Sequence, residues 1–123
     1  MKVVVTGATG FVGNNVTRAL LAQGCDVRVL VRNPEDKSLV GLEVTPITGD
    51  FRDAAILLDA CDGVDRVIHV AGKVHIGWSQ LAEHRAINVE GTRNVAIAAR
   101  EHDARMVYVS SVDALGIGAA DRR

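Results

Sequence analysis

The sequence is poor in aromatic residues and cysteine, with one tryptophan, one tyrosine, two phenylalanines and two cysteines in 123 residues. Any core must therefore be built mostly from Val, Ala, Leu and Ile, within a 48% hydrophobic composition. That palette suits a parallel sheet covered by helices. Cys25 and Cys61 form no disulfide framework and read as buried thiols. His75, His84 and His102 share no metal-ligand spacing with one another or with the cysteines, so no metal is expected. A formal charge of −1 gives no electrostatic case for nucleic acid or an anionic membrane surface as partner. No apolar run reaches the ~18 residues of a bilayer span. The apolar stretch at the N-terminus is too short for a signal peptide and breaks at Gly7, which predicts a cytoplasmic protein.

What is present starts at once. Lys2 to Val5 is short, apolar and β-branched, and reads as a buried strand. Gly7, Gly10 and Gly13 follow at three-residue intervals. Phe11, Val12, Val16, Ala19 and Leu20 then fall at helical spacing, and the helix closes at Gly24. A strand, a glycine turn and a helix in this order aim a helix N-terminus, with its unpaired N–H groups and partial positive charge, at the end of the strand. A pyrophosphate is a good ligand for such a terminus. Gly7 is expected to permit the tight turn, Gly10 to let backbone approach phosphate, and Gly13 to pack helix closely on strand. Thr9, Phe11 and Val12 belong to the same turn and are counted with it as cofactor-binding residues.

Along the rest of the chain strands alternate with helices. Asp26–Val31 reads as the second strand and Glu35–Leu42 as a polar connection with one or two helical turns. Glu43–Thr48 reads as a third strand, which Pro46 confines to a sheet edge. A helix over Asp53–Cys61 has Asp53 as its cap. Asp65–Val70 is the fourth strand, Ala71–Trp78 a loop, Ser79–His102 a long helix with Leu81, Ile87, Val95 and Ile97 among its apolar positions, and Arg105–Val109 the fifth strand. The fold class predicted is α/β, a doubly wound parallel sheet of about five strands in the order 3-2-1-4-5.

Several side chains bear on chemistry. Arg32 ends the second strand, where an NAD-binding protein usually places an acidic residue for the ribose 2′-hydroxyl; an arginine there pairs instead with a 2′-phosphate. NADP is thus the cofactor expected, with NAD possible, and Arg28 is a candidate for a lesser contribution. Asp50 can accept from the adenine amino group, with Phe51 shielding the ring. Val70, Ala71 and Gly72 are small enough for close backbone approach to the cofactor. His69, inside a strand, reads as a packed histidine. Ser110 and Ser111 follow the fifth strand, where a parallel sheet presents residues to ligands; read from the residues alone, they serve equally as a helix cap.

TGATGFVG, GDF after the third strand, VIHVAG after the fourth, NVEGT in the long helix and YVSSVDALG after the fifth together resemble the extended short-chain dehydrogenase/reductase superfamily, the NAD-dependent epimerase/dehydratase family, and within it the dihydroflavonol-reductase-like branch. The resemblance implies a Rossmann-type fold and hydride transfer between a nicotinamide and a carbonyl or alcohol carbon of a small-molecule substrate. It implies that Ser111 is the catalytic serine, that Ser110 lines the cofactor, that Asn88 ties the long helix to the strand beneath, and that Gly91 allows close packing there. It also implies a homodimer. The family's proton-donor pair, Tyr-x-x-x-Lys, does not occur in these 123 residues: the one tyrosine, Tyr108, is followed four residues on by Val112. The sequence is therefore expected to be the N-terminal part of a cofactor-binding domain, 1–123, able to hold NADP weakly and inactive alone. The alternative is a non-catalytic dinucleotide sensor of the NmrA-like kind. The loop Lys73–Trp78 is expected to face the substrate, with His75 and Trp78 as candidates.

Overall fold

A computed structural model describes residues 1–74 and 79–115. Five strands form one parallel sheet: β1 (Lys2–Thr6), β2 (Asp26–Val31), β3 (Thr45–Thr48), β4 (Arg66–His69) and β5 (Arg105–Tyr108), ordered β3-β2-β1-β4-β5. The register runs Val4 beside Arg28 and Val67, with Arg28 beside Thr45 and Val67 beside Met106. β1 is central because it is apolar on both faces, and Val3, Val4 and Val5 are fully buried. Alternation along β1 feeds two cores. Val3 and Val5 join Val27, Val29, Val31 and Leu39 on one face, while Val4 joins Leu57, Ala60, Val67, Val95 and Ala98 on the other. Among the described residues no Phe, Tyr or Trp is fully buried. Pro46 sits on β3 at the sheet edge, where its missing N–H breaks no ladder.

Helix α1 (Phe11–Ala22) ends as the sequence indicates: Gly24 adopts φ +73°, donates to Leu21 O, and lets Cys25 N–H reach Leu20 O. Its buried face differs from the expected one. Gly13 and Thr17 are buried, whereas Phe11 is 87% exposed and Ala19 is also exposed. The helix lies so close to the turn and sheet that only small residues fit beneath it, and Phe11 and Val12 are turned toward open space. Helix α2 (Ala54–Cys61) is capped by Asp53, whose Oδ1 accepts from Ala55 and Ile56 N–H. Between β2 and β3 lies one short 3-10 turn, Lys37–Leu39.

The expected long helix is three consecutive pieces: α3 (Leu81–Arg85), a π-helical segment (Ala86–Gly91) and α4 (Thr92–Glu101). Gly91, Val95, Ala98 and Ala99 are its buried residues, while Leu81 and Ile97 are exposed. Ile97 falls two residues from Val95 and so on another face of α4, and Leu81 stands at the start of α3, which buries no residue.

His69 is fully buried at the centre of the sheet. Thr6 Oγ1 lies 2.6 Å from its Nδ1 and Thr92 Oγ1 2.9 Å from its Nε2. Thr6 Oγ1 also accepts from Ala71 N–H, so one hydroxyl joins the ring to the backbone after β4. Phe51 stands edge-on to the imidazole and Tyr108 stacks on it. The histidine is thus a neutral strut between β1, β4 and α4, as a packed histidine should be. Burial lowers its pKa to about 4. The native state binds fewer protons than the unfolded chain between pH 6.5 and 4, so stability falls as pH drops through that window. Denaturant unfolding should show the wild type losing roughly 3 kcal/mol more than His69→Phe between pH 7 and pH 4. Equal losses in the two proteins would mean that His69 carries no such linkage.

Candidate functional site

A cleft of about 700 Å³ opens at the carboxyl ends of β1, β2 and β4. The turn after β1 forms its base. Gly7 has φ +79°, and a Cβ there would lie 2.7 Å from Ala71 N, so the residue must be glycine for conformation and for space. A Cβ on Gly13 would overlap the Gly7 carbonyl oxygen. Gly13 therefore packs α1 against the turn itself rather than against the strand body. Gly10 N–H donates to Gly7 O at 3.0 Å and Gly10 is the N-cap of α1.

That N-terminus is uncapped. No side chain bonds to it, and its first turn carries no acidic residue. Its first backbone bond runs from Asn14 N to Gly10 O, so the N–H groups of Phe11, Val12 and Gly13 receive nothing from the helix. α2 contrasts with it, because Asp53 satisfies the corresponding groups there. Gly10, Phe11, Val12 and Gly13 line the cleft, so the unmet donors and the positive end of the dipole sit on its wall.

Of the residues singled out from sequence, Gly7, Thr9, Gly10, Phe11, Val12, Gly13, Arg32, Asp50, Phe51, Val70, Ala71 and Gly72 all line this one cleft. Arg32 is exposed at the end of β2 and, among the described residues, holds no ion pair. Phe51 is a fixed part of the wall and not a free cover: its ring is wedged against Gly91 and His69. Arg28 makes no contribution beside Arg32. It lies near the other end of β2 and donates to the carbonyls of Ala60 and Asp62, holding the end of α2. Ser110 and Ser111 are exposed just past β5 and do not line the cleft; Ser111 O accepts from Ala114 N–H in the 3-10 turn Val112–Leu115. His75 and Trp78 lie outside the described residues.

The structure adds residues that sequence reasoning missed. Asp50 is bound by Arg52: Nε reaches Oδ1 at 2.9 Å and Nη2 reaches Oδ2 at 2.6 Å. The Arg52 contact holds the Asp50 carboxyl below its usual pKa, with Arg32 adding to the effect. Lys73 Nζ pairs with Glu83 at 2.6 Å across the loop after β4, and its hydrogen bond keeps the Glu83 carboxyl below its usual pKa. Asn88 does not reach the strand beneath. Its Oδ1 accepts from Lys73 N–H and its Nδ2 donates to Lys73 O, both at 2.8 Å, so it clamps that loop instead. Gly91 allows close packing, and what packs there is the ring of Phe51. The spacing of GDFR held the one available signal, an arginine two residues after an aspartate in a turn.

Among the described residues no group of three or more His, Cys, Asp or Glu side chains could hold a metal, and no helix is long and apolar enough to cross a membrane. The cleft fits a dinucleotide by its own features: elongated walls from three strand ends, a glycine turn with no room for side chains, and unmet helix donors. Gly13→Ala should cost about 1–3 kcal/mol of stability by forcing α1 off the turn, whereas Gly72→Ala, whose φ is not positive and whose Cβ would meet only Asn88 Oδ1 at 3.4 Å, should cost much less. Thermal unfolding of the two variants checks this; equal losses would contradict the close packing.

Comparison with known proteins agrees with this geometry. The model of the NAD dependent epimerase/dehydratase family matches residues 3–122. The chain is 43% identical over 119 residues to sterol demethylase protein B of Methylococcus capsulatus, covering 95% of this chain and 36% of that protein. It is 40% identical over 113 residues to the ceramide reductase of Caulobacter vibrioides, covering 91% and 35% respectively. A solved short-chain dehydrogenase/reductase superfamily protein from Agrobacterium tumefaciens, with bound NAD, superposes with a TM-score of 0.78 at 34% identity, over 90% of this chain and 33% of that one. The chain thus spans about a third of the length of the relatives it matches. From the glycine turn, the sheet order and these matches together, it follows that the chain belongs to the NAD dependent epimerase/dehydratase family.

Proposed function

We propose that these residues form the cofactor-binding portion of an NADP-dependent oxidoreductase of the extended short-chain type, acting on a carbonyl or alcohol substrate. The observation that carries the reading is the uncapped α1 N-terminus, opening beneath a glycine turn into the cleft. The diphosphate would take the donors of Phe11, Val12 and Gly13, and the small residues Ala71 and Gly72 would leave the backbone after β4 open to the sugar beyond. The bound nicotinamide supplies hydride chemistry. A relative named as a ceramide reductase favours an enzyme over a dinucleotide sensor.

The preference for NADP rests on Arg32. It lines both the main cleft and a small adjoining recess shared with Thr9, Asn33 and Asp36, and its guanidinium is exposed there. A 2′-phosphate offers oxygens that match the guanidinium fork. Ser111 is the residue proposed to hydrogen-bond the substrate oxygen. It sits past the carboxyl end of β5, the side of the sheet on which the cleft opens, so both belong to one face of the domain. Proton transfer belongs to a Tyr-x-x-x-Lys pair of the whole protein.

Calorimetric titration with NADPH and with NADH tests the cofactor reading. NADPH should bind at least about tenfold more tightly, the value of one charge-assisted contact, and Arg32→Asp should abolish or reverse that preference. Equal affinities in the wild type, unchanged by the substitution, would assign Arg32 no role.

A further inference from the structure

Two arginines line the cleft beside Asp50, and the structure treats them differently. Arg32 is exposed and, among the described residues, lacks an ion-pair partner. Arg52 is held at both its main chain and its side chain. Asn94 Nδ2 donates to Arg52 O at 2.9 Å, which fastens the turn to α4. Arg52 N–H donates to Asp50 Oδ1 at 2.9 Å, and the Nε and Nη2 contacts lock the guanidinium in the plane of the carboxylate. The charge of Arg52 is answered by Asp50 and, at longer range, by Glu83.

A cation so balanced is a weak phosphate ligand, and one edge of its fork, Nε with Nη2, is already engaged. Its faces are not engaged. The side chain is still 50% exposed in the cleft wall, and a guanidinium face stacks well on an aromatic ring. The fork to Asp50 fixes the plane beforehand, so little rotamer freedom is lost when a ring settles on it. We propose that Arg52 is a base-stacking residue, its guanidinium held flat by Asp50 to receive the purine ring of the dinucleotide. The proposal rests on the reading of the cleft as a dinucleotide site. It assigns the two arginines separate tasks: the unpaired one meets the phosphate, and the neutralised one meets the uncharged base. It also widens the part Asp50 plays. Oδ1 takes two bonds from Arg52 and Oδ2 one, so the carboxylate orients the platform for the face of the base and keeps acceptor capacity on Oδ2 for its edge.

The test is calorimetric titration of the wild type, Arg52→Ala and Arg52→Lys with NADPH, NADH and nicotinamide hypoxanthine dinucleotide phosphate, whose base lacks the exocyclic amine. Stacking depends on the ring and not on that amine. Arg52→Ala should weaken all three ligands by a common factor of about tenfold, the scale of one base–side-chain stack. Arg52→Lys keeps a cation for Asp50 and so keeps the fold, but has no flat face, and should not restore affinity. If the alanine variant fails to fold, the lysine variant decides alone. Unchanged affinities in the variants, or full affinity in Arg52→Lys, would overturn the proposal. So would a loss confined to the two adenine ligands, since that would make Arg52 a support for an Asp50 bond to the amine. A wild type that binds no dinucleotide would bring down the proposed function and this inference together; a wild type that binds while Arg52 is irrelevant would bring down this inference alone.

Discussion

Two stretches of backbone meet where no side chain fits, and the cleft depends on that meeting. Gly13 brings α1 onto the Gly7 carbonyl, and Gly7 in turn lies against the backbone at Ala71. Close packing of this kind leaves no alternative placement for the helix. It fixes the end of β1, the start of α1 and the end of β4 as one unit, with the α1 donors facing outward. The wall proposed for the diphosphate is therefore main chain, offering N–H groups and a dipole, while Arg32 is the charged side chain proposed for the 2′-phosphate.

The opposite wall is held by a single helical run. Asn88 grips Lys73 by both backbone groups, Gly91 receives the ring of Phe51, Thr92 bonds His69, and Asn94 holds the carbonyl of Arg52. These residues reach three different segments that line the cleft or lie beneath it. The π-helical segment Ala86–Gly91 lies at the point where the run passes from loop contacts to sheet contacts. An ordinary helix would rotate Asn88 and Asn94 to other relative angles, so the wider turns are part of how one helix serves both loops.

The sheet order, the edge position of β3, the Asp53 cap and the glycine-turn part of the cleft were legible in the sequence, each for a local reason. Valine runs bounded by glycine turns mark buried parallel strands, and Pro46 excludes a central position. What was not legible depends on phase or on distant partners. Leu81 and Ile97 are apolar residues that the helical run leaves exposed, and Asn88, tied to the strand by resemblance, meets the backbone of Lys73 instead. Phe11 and Val12 carry the helical spacing of a core face, yet they open onto the cleft because α1 sits too low on the turn for bulky residues to pass beneath. Arg28 reads like a companion of Arg32 until the carbonyls at the end of α2 are seen to claim it. The serines after β5 remain assigned by family resemblance, since the described cleft is bounded without them.

Backbone amide NMR of the labelled protein during addition of NADPH tests the central claim most directly, because the claim concerns N–H groups. The amides of Phe11, Val12 and Gly13, with those of Ala71 and Gly72, should show the largest shifts, and exchange protection should rise at the α1 N-terminus while the Asp53-capped start of α2 is unaffected. Saturating NADPH that leaves the α1 amides unmoved, or that shifts a surface elsewhere, would contradict the account.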